Sequence, residues 1–294
     1  MTRQPGPDQR PLIRRDADGE ARTAPSWETL TERLIREAQA EGAFDDPRPD
    51  AVFGLHVVSQ HRVGEVAYTP GGAMASSDRL KITVKGRQTH AAYPWLGVDP
   101  IAAASRIVLA VEAIPARRVD TRIPAVVSIG AIHGGVRHNI IPDEVELLGT
   151  IRALDPELRL ELHEKVRSTA VAIAHSADAE AEVDIALGYP ITNNDPELAA
   201  QMLPTLERIA GRDRVVRALP RTGAEDFAFF QEQVPGLYLW LGARPAGVSK
   251  EELAPNHSPH FFVDEGALLL GVRTMAGLSV DFLERGGEPM GAGQ

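Results

Sequence analysis

The chain has 294 residues, 43% hydrophobic and 24% charged, with a formal net charge of −10 and no cysteine. This is the composition of a globular protein able to bury one large core or two modest ones. It speaks against nucleic acid or an anionic membrane as partner and excludes a disulfide framework and thiolate chemistry. The sequence shows no uninterrupted apolar stretch of bilayer length, and a reducing cytoplasm fits it.

Residues 1–25 are polar, rich in Arg, Asp and Pro, and lack the apolar core of a signal peptide; they read as a disordered tail. Residues 26–42 read as a helix, with Leu30, Leu34, Ile35 and Ala38 at helical spacing and Ser26 as N-cap. Ala51–Val58 and Val63–Tyr68 read as short strands, followed by a turn at Pro70-Gly71-Gly72. From residue 76 the pattern becomes regular. Arg79–Lys85 alternates as a strand, Pro100–Ile114 is an Ala-rich helix, and Ala125–His133 and Glu144–Ala153 are strands. Pro156–Ser176 is a long helix capped by Asp155, and Ala181–Leu187 closes the series as a strand. The order β-α-β-β-α-β is that of a ferredoxin-like unit. Beyond residue 188, Pro196–Ala210 reads as a helix and Val215–Ala218 and Leu237–Leu241 as strands. Asp264–Leu283 is a closing helix with Leu268, Leu269, Val272 and Met275 on one face. The fold class is α/β. A discontinuous domain (residues 26–75 and 188–286) is interrupted by the ferredoxin-like unit (76–187), and residues 287–294 form a second tail.

Several polar segments stand out. His56 ends the apolar run Ala51–Val57; in open α/β sheets that strand end faces the ligand crevice, where a neutral imidazole is a good metal ligand. A core histidine satisfied by a carbonyl is the bland alternative. His257 lies between Pro255 and Pro259, which stiffen its loop; an exposed loop histidine is the alternative, and His260 is the weaker candidate. His90 follows Gly86 in the inserted unit and precedes Ala91-Ala92-Tyr93-Pro94. Arg137–Asp143 holds Asn139, and Arg152 on the next strand offers either a bidentate fork for a carboxylate or a strand-edge ion pair. In Thr222–Ala228, Glu225 and Asp226 place two carboxylates after a permissive glycine, either to orient a ligand histidine or to cap a helix.

In this order the segments resemble the M20 family of dinuclear-zinc amidohydrolases and peptidases, most closely its N-acyl-amino-acid branch. The resemblance covers about residues 30–285. It implies a divalent metal, zinc or else manganese or cobalt, with His56 and His257 as ligands, and a homodimer formed through residues 76–187. It further implies that His90 reaches across the dimer to polarise the scissile carbonyl, that Asn139 and Arg152 hold the carboxylate of a small acyl amino acid, and that Glu225 and Asp226 orient a ligand. The family's other ligands and its proton-shuttling Glu lie upstream of the resembling segments. Here no histidine precedes His56, and the only adjacent Glu pair is Glu251-Glu252. The expectation is a zinc domain lacking its N-terminal part and a chain that hydrolyses amides weakly or not at all. The alternative is a non-catalytic relic or dimerising interaction module.

Overall fold

The computed structural model describes residues 13–15, 21–23, 33, 36–37, 40–45, 47–249, 252, 254 and 256–285. The chain divides into two compact units, Met1–Ala43 and Phe44–Gln294. In the first, β1 (Ile13–Arg15) and β2 (Ala21–Thr23) pair antiparallel. Both strands fall within residues 1–25, expected as a tail, whose other residues lie outside those described. Arg33, Arg36, Glu37 and Ala40 are helical, with Arg33 Nε 3.2 Å from Glu37 Oε1 one turn on. The rest of the expected helix over 26–42, and residues 287–294, lie outside the described residues.

The second unit opens with β3 (Val52–Arg62), β4 (Val66–Tyr68) and β5 (Gly71–Met74). The inserted part follows: β6 (Ser77–Lys85), the short β7 (Thr89–His90), α1 (Pro100–Glu112), α2 (Ile114–Arg118), β8 (Ala125–Gly134), the short β9 (Ile140–Ile141), β10 (Glu144–Ala153), α3 (Pro156–His175) and β11 (Glu180–Tyr189). Its sheet has the order β11-β6-β10-β8 with every pair antiparallel. Asp99 caps α1 by accepting from the Ile101 and Ala102 amides, and Asp155 caps α3 through Leu158 N–H at 2.8 Å. Leu158, Leu162, Val166, Ala170 and Ala174 recur every four residues and turn one face of α3 onto the sheet. They meet Ile107 and Val111 of α1 and the alternating Leu80, Ile82 and Val84 of β6 in a single core. Burial of each large aliphatic side chain there contributes about 1.5–3 kcal/mol.

The rest of the second unit has β12 (Thr192–Asn194), α4 (Pro196–Ala210), β13 (Val215–Arg217), α5 (Ala228–Gln231), β14 (Gly236–Arg244) and α6 (Leu268–Glu284). A mixed sheet runs β13-β4-β14-β3, with β14 parallel to β3 and antiparallel to β4. A separate core of Val66, Leu198, Met202, Leu206, Leu237, Leu239, Leu278 and Phe282 joins the sheet to α4 and α6. Gly71–Met74, expected in part as a turn, pairs with β12 instead. β3 runs four residues beyond the expected strand. The polar Ser59–Arg62 reads like a strand end, but β14 pairs with β3 as far as Arg62 through a register shift. A Cβ on Gly242 would sit 2.0 Å from Arg62 O, so the shift requires glycine there.

The two cores meet where the chain enters and leaves the inserted sheet. Asp78, fully buried, accepts from Arg159 Nε at 2.9 Å and Nη2 at 2.5 Å, pairs with His163 Nε2 at 2.7 Å, and accepts from Gly188 N–H at 3.1 Å. Burial alone would raise its carboxyl, but Arg159 and His163 outweigh that and hold it at about 2.

Candidate active site

His56 sits in the middle of β3 opposite Trp240 of β14, not at a strand end, because β3 continues. Together with the Arg221–Gly223 turn and the Asn256–His257 turn, these strands enclose a cavity of about 260 Å³. His56, Gln60, Arg221, Trp240, Asn256 and His257 are among its walls. The structure therefore brings His56 and His257, 201 residues apart in sequence, to one cavity.

The hydrogen bonds around the imidazoles fix their chemistry. His56 Nδ1 is 2.7 Å from Val57 O. A carbonyl only accepts, so Nδ1 carries the hydrogen and the Nε2 lone pair is left free, as a metal ligand requires. The same carbonyl accepts from Asn256 Nδ2 at 2.9 Å, tying the residue beside His257 to the residue beside His56. His257 has φ 69°, a left-handed backbone rare outside glycine, sparsely populated and typical of functional turns.

His90 shows the reverse pattern. Ala92 N–H donates to its Nδ1 at 3.0 Å, so in the neutral ring Nε2 carries the hydrogen and is a donor. The ring is exposed, 5.6 Å from Tyr93 centroid to centroid. β7 pairs with β9, and Ala91 N–H donates to Asn139 O at 3.0 Å, so His90 and Asn139 share one end of the inserted unit. Neither borders the cavity. Arg152 Nη1 donates to Thr222 O at 3.2 Å, tying β10 to the turn that edges the cavity.

Glu225 and Asp226 lie behind the cavity wall. Glu225 Oε2 accepts from Tyr238 Oη at 2.6 Å, two residues from Trp240, and the two rings pack edge-on at 6.0 Å. Burial, then the Glu225 hydrogen bond and charge, lift the Asp226 carboxyl to about 6, and burial pushes the Tyr238 hydroxyl up. Among the described residues no hydrogen bond joins either acid to His56 or His257. Helix α5 opens at Phe227 without a side-chain cap.

Sequence reasoning missed Arg221, Gln60, Trp240 and Asn256. Asn256 stands next to His257 in an already conspicuous segment, and Arg221 stands two residues before Gly223, so adjacency was the available signal.

Residues 75–178 match the peptidase dimerisation domain of the M20 family. The chain is 39% identical over 260 residues to thermostable carboxypeptidase 2 of Saccharolobus solfataricus, covering 85% of this chain and 65% of that protein. It is 35% identical over 234 residues to N-acetylcysteine deacetylase of Bacillus subtilis, covering 80% and 59%. A crystal structure of a dinuclear metal-binding M20 peptidase from Bacillus subtilis aligns with TM-score 0.69 and 31% identity, over 85% of this chain and 61% of that one. The chain belongs to the M20 family. It spans 59–65% of the length of these M20 relatives. The matched dimerisation domain runs from the link between β5 and β6 to the end of the turn after α3.

That solved M20 peptidase binds two metals. In this M20 chain two imidazoles border one cavity, and no group of three or more His, Asp or Glu converges among the described residues. A zinc site takes four donors. The described residues alone therefore do not fit a dinuclear centre.

Proposed function

We propose that this chain is an amide-bond hydrolase acting on small N-acyl amino acids, dependent on a divalent metal, with zinc ahead of manganese or cobalt. It works as a cytoplasmic homodimer joined through residues 76–187. The observation that carries the reading is the placing of His56, its Nε2 free, and His257 on one cavity. These are the two imidazoles among the described walls of that cavity. His90 presents an N–H donor suited to a developing oxyanion, reaching the cavity of the other protomer. Asn139 faces the substrate from the inserted unit, Arg152 ties that unit to the cavity's edge through Thr222 O, and Glu225 and Asp226 fix the wall behind the ligands. With two donors and no assigned general base, activity of the 294-residue chain by itself is weak. The donor count also favours a second reading, a dimerising module without catalysis.

The test is bound metal per chain after exhaustive dialysis, combined with acetate release from N-acetyl amino acids with and without added zinc. The expected result is metal below one per chain and slow zinc-stimulated release, abolished by His56→Ala or His257→Ala. Release that no metal stimulates, or none at all, leaves the module.

A further inference from the structure

The cavity holds a cation that the metal reading does not use. Arg221 is half-buried, and its backbone is pinned on both sides: its N–H donates to Ala73 O at 2.9 Å and its carbonyl accepts from Ala75 N–H at 3.0 Å. The guanidinium lies over Trp240, with Cζ 4.6 Å from the ring centroid, and Trp240 is 1% exposed. Among the described residues its one side-chain hydrogen bond goes to Gln60 Oε1 at 3.5 Å, long and neutral. Among the described residues no carboxylate pairs with it. A guanidinium taken partly out of water is normally matched by an anion, because desolvation of a lone charge is costly; Arg159, paired with Asp78, shows the usual arrangement. Burial lowers the Arg221 pKa, as it does for a cation left without a counter-charge.

A second group in the same cavity also lacks a partner. Asn256 Nδ2 is committed to Val57 O, which fixes the amide orientation, and among the described residues the buried Oδ1 has no donor. The cavity thus offers an unmatched cation and an unmatched acceptor. A ligand satisfying both carries a carboxylate and an N–H close together. Arg152, the sequence candidate for the carboxylate, does not border this cavity; its Nη1 donates to Thr222 O.

We propose that Arg221 is the carboxylate-recognising residue of the His56–His257 cavity, its fork taking the carboxylate of an N-acyl amino acid while Asn256 Oδ1 accepts the amide N–H. This rests on the reading of that cavity as the substrate site. The volume, at the small end of ligand pockets at roughly 300 Å³, selects short acyl groups. The guanidinium lies over Trp240, and specificity lies in a bidentate geometry that lysine cannot reproduce.

The test is isothermal titration of the full chain with N-acetyl-L-alanine and with N-acetyl-L-alaninamide, which lacks only the negative charge. The acid is expected to bind at least tenfold more tightly than the amide. Arg221→Gln abolishes that preference by weakening the acid alone, and Arg221→Lys retains part of it. Circular dichroism and the thermal midpoint check that the variants are folded. Equal binding of acid and amide by the wild-type chain, binding of neither, or an unchanged preference in folded Arg221→Gln overturns the proposal. Acid-selective binding without acetate release removes the hydrolase reading and leaves Arg221 in place. Acetate release without acid preference removes Arg221 alone.

Discussion

Asp226 has a folded-state pKa raised from 3.8 to about 6 by burial and by Glu225. The folded protein therefore holds that proton more tightly than the unfolded chain. Its contribution to stability is full below pH 4 and is lost as pH rises through about 6. Replacing Asp226 with Asn is expected to flatten the thermal midpoint between pH 4 and 6.5, where the wild type declines; scanning calorimetry across that range checks it. Asp78 has the opposite sign. Its pKa falls from 3.8 to about 2, so its contribution of about 2 kcal/mol is present above pH 4 and lost as pH falls toward 2. Asp78→Asn leaves Arg159 without its counter-charge and is expected to cost about 3–5 kcal/mol, measured by urea unfolding at pH 7. The histidines that the sequence singles out lie inside distinctive segments, and the structure brings His56 and His257, but not His90, to one cavity. Arg221 is not singled out, because its meaning depends on Gln60 and Trp240, and the Gln60 contact spans 161 residues. Nor could spacing show that Arg152 donates to a backbone carbonyl, or that Glu225 accepts from Tyr238.

At the scale of elements, caps and periodicity placed most boundaries. Pro196–Ala210 and Glu144–Ala153 fall where the pattern put them, since each is bounded by a proline or by sustained alternation. β3 and β5 escaped because their extent is decided by partners, β14 and β12, distant in sequence. The closing helix was read correctly as a helix, but of its apolar face Leu268, Leu269 and Val272 are exposed at 51%, 60% and 68%. The core side of α6 is instead Gly271, Thr274, Leu278 and Phe282. Both sides of the helix are apolar, and the hydrophobic pattern alone does not choose between them. Leu278→Ala is accordingly expected to cost about 2–5 kcal/mol. Leu269→Glu should change fold stability by no more than about 0.5 kcal/mol. Urea denaturation curves of the two variants separate these outcomes.

For the whole molecule, the β-α-β-β-α-β unit was the most legible part, because six consecutive elements carry their own caps and alternation. The surrounding domain was less legible, since its sheet joins strands from before and after the inserted unit. The dimerisation domain leads to the expectation of a species of twice the chain mass in multi-angle light scattering. The junction between the two cores has a consequence of another kind. Ser77 and Tyr189 are paired neighbours where the chain enters and leaves the inserted sheet, and a Cβ on Gly188 would stand 2.0 Å from Ser77 O. The three groups that hold Asp78, on Arg159, His163 and Gly188, all lie between those two points. The segment is thus built as a cassette: its two ends emerge side by side, its fastener travels with it, and a host chain would need to open only one strand-width to accept it.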